Sequence, residues 1–142
     1  MGIRNKVTLI TLIFAVPAFL TGKMIWPPNP IDPVPTTAQL PFFIILSVFE
    51  SVAFGLGVAF LVLGWPMIQK LTGKSKPLTT LVFLSIDWYL INWWPHDNLH
   101  SHNGMDLQGL LYIEYGFHAT MMIAGAILAY FFITNFSKFS KS

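Results

Sequence analysis

Four stretches of the chain, about residues 7–26, 40–65, 78–94 and 107–134, stay apolar over roughly the 20 residues that a helix needs to cross the hydrocarbon of a bilayer. Within each stretch the apolar side chains run nearly all the way round. They show neither the period-2 alternation of a strand nor the polar stripe of a surface helix. The expected fold is therefore all-α, an integral membrane four-helix bundle forming a single transmembrane domain over residues 1–142. Composition agrees: 54% of residues are hydrophobic and 10% are charged, against roughly 25% charged in soluble domains. The lipid bilayer is the expected surrounding, and nothing supports nucleic-acid binding. With no cysteine, disulfides, thiolate metal sites and dithiol redox chemistry are excluded, so any metal must use imidazole, carboxylate or thioether.

The charges supply an orientation. Arg4 and Lys6 precede the first span, Lys70, Lys74 and Lys76 lie between the second and third, and Lys138 and Lys141 end the chain. Lys and Arg are retained on the cytoplasmic side, which predicts both termini and the middle loop inside, with the plasma (inner) membrane as the expected location. The Pro-rich loop Trp26-Pro27-Pro28-Asn29-Pro30-Ile31-Asp32-Pro33 and the histidine-rich loop from Pro95 to Asp106 then face outward, with Lys23 the exception to the charge pattern. Trp26, Trp93 and Trp94 mark the outer interface and Trp65 the inner one, where indole rings prefer to sit. The first span also has features of a secretory signal, but its apolar run continues past the poor cleavage-site imitation Val16-Pro17-Ala18.

Glu50, Asp87, Glu114 and His118 fall inside the predicted spans. An ionised group at that depth costs about 2.5–3.5 kcal/mol on insertion scales, so such groups pair, turn neutral or face a cavity. Ser47, Ser51, Gly55 and Ala59 form a ridge of small side chains beside Glu50, against which a neighbouring helix is expected to dock. Glu114 and His118, one helical turn apart, point into a common space.

The segment Trp93-Trp94-Pro95-His96-Asp97-Asn98-Leu99-His100-Ser101-His102-Asn103-Gly104 carries three of the four histidines. If Pro95 opens a short interfacial helix, His96 and His100 share one face and can share a metal. The candidate metal-ligating set is His96, His100, His102, His118, Asp97 and Glu114, with Glu50 and Asp87 as further intramembrane polar groups. Imidazole with carboxylate suits a transition metal, copper, zinc or iron, more than calcium or magnesium. Heme held by His118 with a loop histidine or a methionine is the other cofactor expected. The H-x-x-x-H spacing matches one box of the membrane desaturases, but those need further histidine boxes that four histidines cannot fill.

Three functions follow. The first is a membrane protein with a metal or heme site at its outer face, its enzyme status and catalytic residues open. The second is an accessory or scaffolding subunit packed against other membrane subunits or against copies of itself. The third is a proton-coupled carrier using Glu50, Asp87, Glu114 and His118, which the lack of ionisable groups in the inner half disfavours.

Overall fold

The computed structural model describes residues 1–31, 34–73 and 75–139, with side chains through residue 135. Asp32, Pro33, Lys74 and Lys141, together with the side chain of Lys138, lie outside the described residues. Among the described residues every regular element is helical: α1 (Ile3–Ile25), α2 (Leu40–Leu63), α3 (Trp65–Leu71), α4 (Lys76–Ile91), α5 (Trp93–Asn103), α6 (Leu107–Ile113), a wide π turn (Glu114–Ala119) and α7 (Thr120–Phe139).

Local chemistry sets most of the boundaries. Proline stands in the first turn of α2, α3 and α4, where a missing N–H costs nothing because that turn has no intrahelical acceptor for it. Ahead of α2, the Gln39 side-chain oxygen accepts from both the backbone N–H and the hydroxyl of Thr36, at 3.0 and 2.9 Å, which shapes the entry turn. After α3 the chain reverses through Gly73, whose φ of +64° is left-handed. The reversal is stitched by a 2.5 Å contact between the Thr72 and Thr79 hydroxyls.

The long helices stand in a row. α1 packs along α2, α2 along α4, and α4 along α7, and among the described residues neither end helix packs along the other. Small residues make each crossing close. A Cβ on Gly55 would lie 2.3 Å from the Thr11 carbonyl oxygen of α1, and one on Gly57 would lie 2.5 Å from Ile91 of α4. The small-residue ridge of α2 thus seats the backbone of α1. Around the end that carries α3, Ile68, Val82, Phe83 and Phe131 form a buried cluster backed by Phe60 and Leu128.

Much of the remaining apolar surface is exposed, including Phe42 at 75%, Met122 at 75% and Ile133 at 76%. Such surface suits hydrocarbon rather than water. Among the described residues three helices are long and apolar enough to cross a membrane: Ile3–Ile25, Leu40–Leu63 and the continuous run Leu107–Asn135. The third expected span is different. α4 has 16 residues, or about 24 Å of helix against roughly 30 Å of hydrocarbon.

The histidine-rich segment, expected mainly as a loop, is the helix α5. It continues almost directly from α4, since Asn92 N–H donates to the Trp88 carbonyl and His96 N–H to the Asn92 carbonyl. Pro95 has no N–H for the Ile91 carbonyl, which accounts for a break at this point. Trp94 anchors the new helix by donating its indole N–H to the Ala18 carbonyl of α1 at 3.1 Å, with its ring against Trp26 and Phe54.

Candidate metal centre

Helical spacing decides which α5 side chains can act together. His96 and His100, four residues apart, lie on one face, and their Nε2 atoms are 3.1 Å apart. The face turns toward the start of the last long helix. There His100 Nε2 lies 3.3 Å from Glu114 Oε1. One donor atom from each of His96, His100 and Glu114 falls within 4.8 Å of the others. His118 Nδ1 is in close contact with Glu114 Oε2, and its ring centroid is 4.9 Å from that of His96. Three imidazoles and one carboxylate, from two elements, thus converge.

The π turn shapes this half of the centre. Glu114–Ala119 is wound one residue wider than an α-helix, a local form found often at functional sites. It is pinned from α4. Trp88 donates its indole N–H to the Thr120 hydroxyl at 3.0 Å, and that hydroxyl in turn donates to the Gly116 carbonyl at 2.6 Å. Tyr89 donates to the Met121 carbonyl at 3.0 Å, and Phe117 is sandwiched between Trp88 and the edge of His96.

Burial first, then the charges of His100 and His118, hold the His96 imidazole below its ordinary pKa, against the opposing pull of Glu114 and Asp97. The neutral ring this favours is the form that binds a metal. Two Nε2 atoms at hydrogen-bond distance need a proton between them, and a cation can take that place. Around a tetrahedral ion with bonds of about 2.05 Å the donor atoms stand about 3.3 Å apart, close to the separations of 3.1 and 3.3 Å found here.

The other candidates point elsewhere. His102, two residues past His100 and so on the far side of α5, brings Nδ1 within 2.8 Å of the Pro27 carbonyl. Because a carbonyl only accepts, Nδ1 carries the proton there. With Asn29 N–H donating to the Ser101 carbonyl at 3.0 Å and the Asn29 amide to the Asn103 carbonyl at 3.4 Å, this straps the Pro-rich segment across the end of α5. Asp97 faces α2 and lies within hydrogen-bonding reach of Glu50. Asp87 lies in a separate groove between α4 and α7, with Oδ1 buried and without a hydrogen-bond partner among the described residues. Glu50 and Asp87 therefore belong to different spaces. Gly104, which with Asn103 reads as a turn, closes α5 with φ +56° and sits against Asn29 of the strap. Its place after a polar helical run was the available signal.

Gly104→Ala is expected to destabilise the protein by about 1–2 kcal/mol, the cost of a left-handed residue with a Cβ, increased by contact with Asn29 at 2.7 Å. Thermal unfolding in detergent reads this directly, and faster proteolysis within the Pro-rich segment should accompany it. No protein-family model, curated protein or solved structure matches the chain.

Proposed function

We propose that the protein is a four-span membrane protein, with both termini in the cytoplasm, that binds one transition-metal ion through His96, His100 and Glu114 at the outer ends of its helices. The observation that carries the reading is the convergence of these three donors within 4.8 Å, with the His96–His100 and His100–Glu114 separations of 3.1 and 3.3 Å suited to a tetrahedral ion. His118 holds the Glu114 carboxylate from its other oxygen, the orienting role that a neighbour of a metal ligand commonly plays. Three protein ligands leave a fourth position for water or substrate, as in catalytic zinc sites. The site is also partly exposed, with the Glu114 side chain 44% accessible.

An ion fits better than heme. His96 and His100 project from one face of one helix, so they cannot stand on opposite faces of a porphyrin. The contacts of the His96 ring with His100 and His118 also leave no slab-shaped space between the rings. Zinc, copper and iron all accept imidazole with carboxylate. In the four-span arrangement α4 crosses as the shortest helix, and Trp93 and Trp94 mark its outer end.

Protein purified in detergent, stripped with chelator and loaded in turn with zinc, copper and iron, is expected to retain about one ion per chain of at least one metal after desalting, the stoichiometry of a single tetrahedral site. Elemental analysis measures this. Retention of none of the three would overturn the metal reading. The open row of helices would then favour a subunit whose lateral faces are covered by other membrane proteins or by copies of itself.

A further inference from the structure

A cavity of about 900 Å³ lies between α1, α2, α5 and the Pro-rich segment. Its lining is divided. Phe19, Leu40, Phe43 and Ile44 make an apolar wall, whereas Ser47, Glu50, Asp97 and Asn98 make a polar end. Glu50 is 8% exposed, and Asp97 lies within hydrogen-bonding reach of it. Asn98 uses its amide N–H on the Trp94 carbonyl at 2.7 Å, which leaves its oxygen as an acceptor facing Gly22. The Ser51 hydroxyl is committed to the Ser47 carbonyl at 2.7 Å. The polar end is thus dominated by carboxyl and amide oxygens. Lys23, with an exposed side chain, also lines the cavity, further toward the end of α1.

Such a space selects by chemistry at each end. From Leu40 to Ser51 the α2 wall runs roughly 16 Å at the rise of an α-helix, long enough for an alkyl chain to lie along it. Oxygens at the polar end complement a head that donates hydrogen bonds and repel an anionic one. Binding pockets commonly join an apolar lining to a few convergent polar groups in this way. We propose that this cavity binds a membrane-derived amphiphile, its alkyl chain along Phe19, Leu40, Phe43 and Ile44 and its hydroxyl or ammonium head on Glu50 and Asp97. His100 belongs to the same lining, so the head sits beside the candidate metal centre, but binding itself requires no metal.

The test uses the full chain, treated with chelator, in phosphatidylcholine nanodiscs, photolabelled with a diazirine-bearing dodecanol and mapped by mass spectrometry. Labelling is expected to saturate and to concentrate on residues 19–23 and 40–51. Excess dodecanol or dodecylamine should suppress it at concentrations at least about tenfold lower than dodecanoate, because carboxylates facing one another repel. Suppression by the alcohol alone assigns a neutral head, and suppression by the amine alone assigns a cationic one. Label spread evenly over the lipid-facing helices and insensitive to both competitors overturns the proposal, as does dodecanoate competing best. Ser47→Phe, which fills the cavity, should abolish the suppressible labelling. Glu50→Gln keeps the side-chain shape and covers the case in which Ser47→Phe fails to fold. It is expected to weaken dodecylamine competition at least about tenfold, and unchanged competition by both compounds would overturn the assignment of the head.

Discussion

His96→Ala and His100→Ala are each expected to weaken zinc binding by at least about 100-fold, more than the roughly 10–100-fold that follows loss of a group that only orients a ligand. Both rings supply donor atoms to the three-residue cluster, and removing either leaves two protein ligands, too few for a stable tetrahedral site. Glu114→Gln should match them, since the substituted amide offers no charge to the ion. His118→Ala should fall in the lower range because His118 acts through Glu114. His102→Ala and Asp97→Asn should leave the affinity essentially unchanged, as His102 is bound to Pro27 and Asp97 faces Glu50. Competition with a chromophoric chelator, using reconstituted protein, ranks all six. An equal loss for His102→Ala and His96→Ala would show that histidine number rather than this geometry governs binding.

Gly55→Val is expected to produce the largest loss of stability among single substitutions in the spans. A Cβ at this position lies 2.3 Å from the Thr11 carbonyl oxygen and 2.9 Å from the Ala15 nitrogen. Both are backbone atoms of α1, which no rotamer change can move. Overpacking costs about 1–3 kcal/mol where side chains can adjust, so the upper end or more is expected here, with α1 displaced from α2. Gly116→Ala is the control. Its Cβ meets nothing within 4 Å, so it should be neutral, or more stable by up to about 1 kcal/mol through helix propensity. Denaturant titration in mixed micelles separates the two, and equal effects would mean that the α1–α2 crossing is not close-packed.

The helices were legible because hydrocarbon imposes length and all-round apolarity on whatever crosses it. The four expected stretches correspond to α1, α2, α4 and the run from Leu107, although α4 is shorter than a full span. The pairing of His96 with His100 was legible from spacing alone, as was the small ridge that receives α1. The rest of α5 was obscured by its own composition. Pro95, Asp97, Asn98 and Asn103 are weak helix formers, and the segment is helical because tertiary contacts hold it, with Trp94 anchored to Ala18 and the Pro-rich strap over its end. Once α5 is helical, His102 must diverge from His100 by about two hundred degrees, at 3.6 residues per turn, and Asp97 must leave the His96 face. No spacing rule brings Glu114 to His100. They belong to separate elements, and their meeting depends on how α5 folds back over α6.

The π turn divides the last long helix into two parts that answer to different partners. At the first residue of the turn, Glu114 is positioned toward α5. Downstream, Thr120, Met121 and Phe131 are positioned toward α4 and the buried cluster beside α3. One extra residue in the turn sets the phase between these halves. Deleting a single residue there would rotate everything beyond it by about 100° relative to Glu114, so the chain could keep its candidate metal ligands aligned or its seam with α4, but not both. The helix behaves as two gears on a common shaft, and the width of one turn fixes how they mesh.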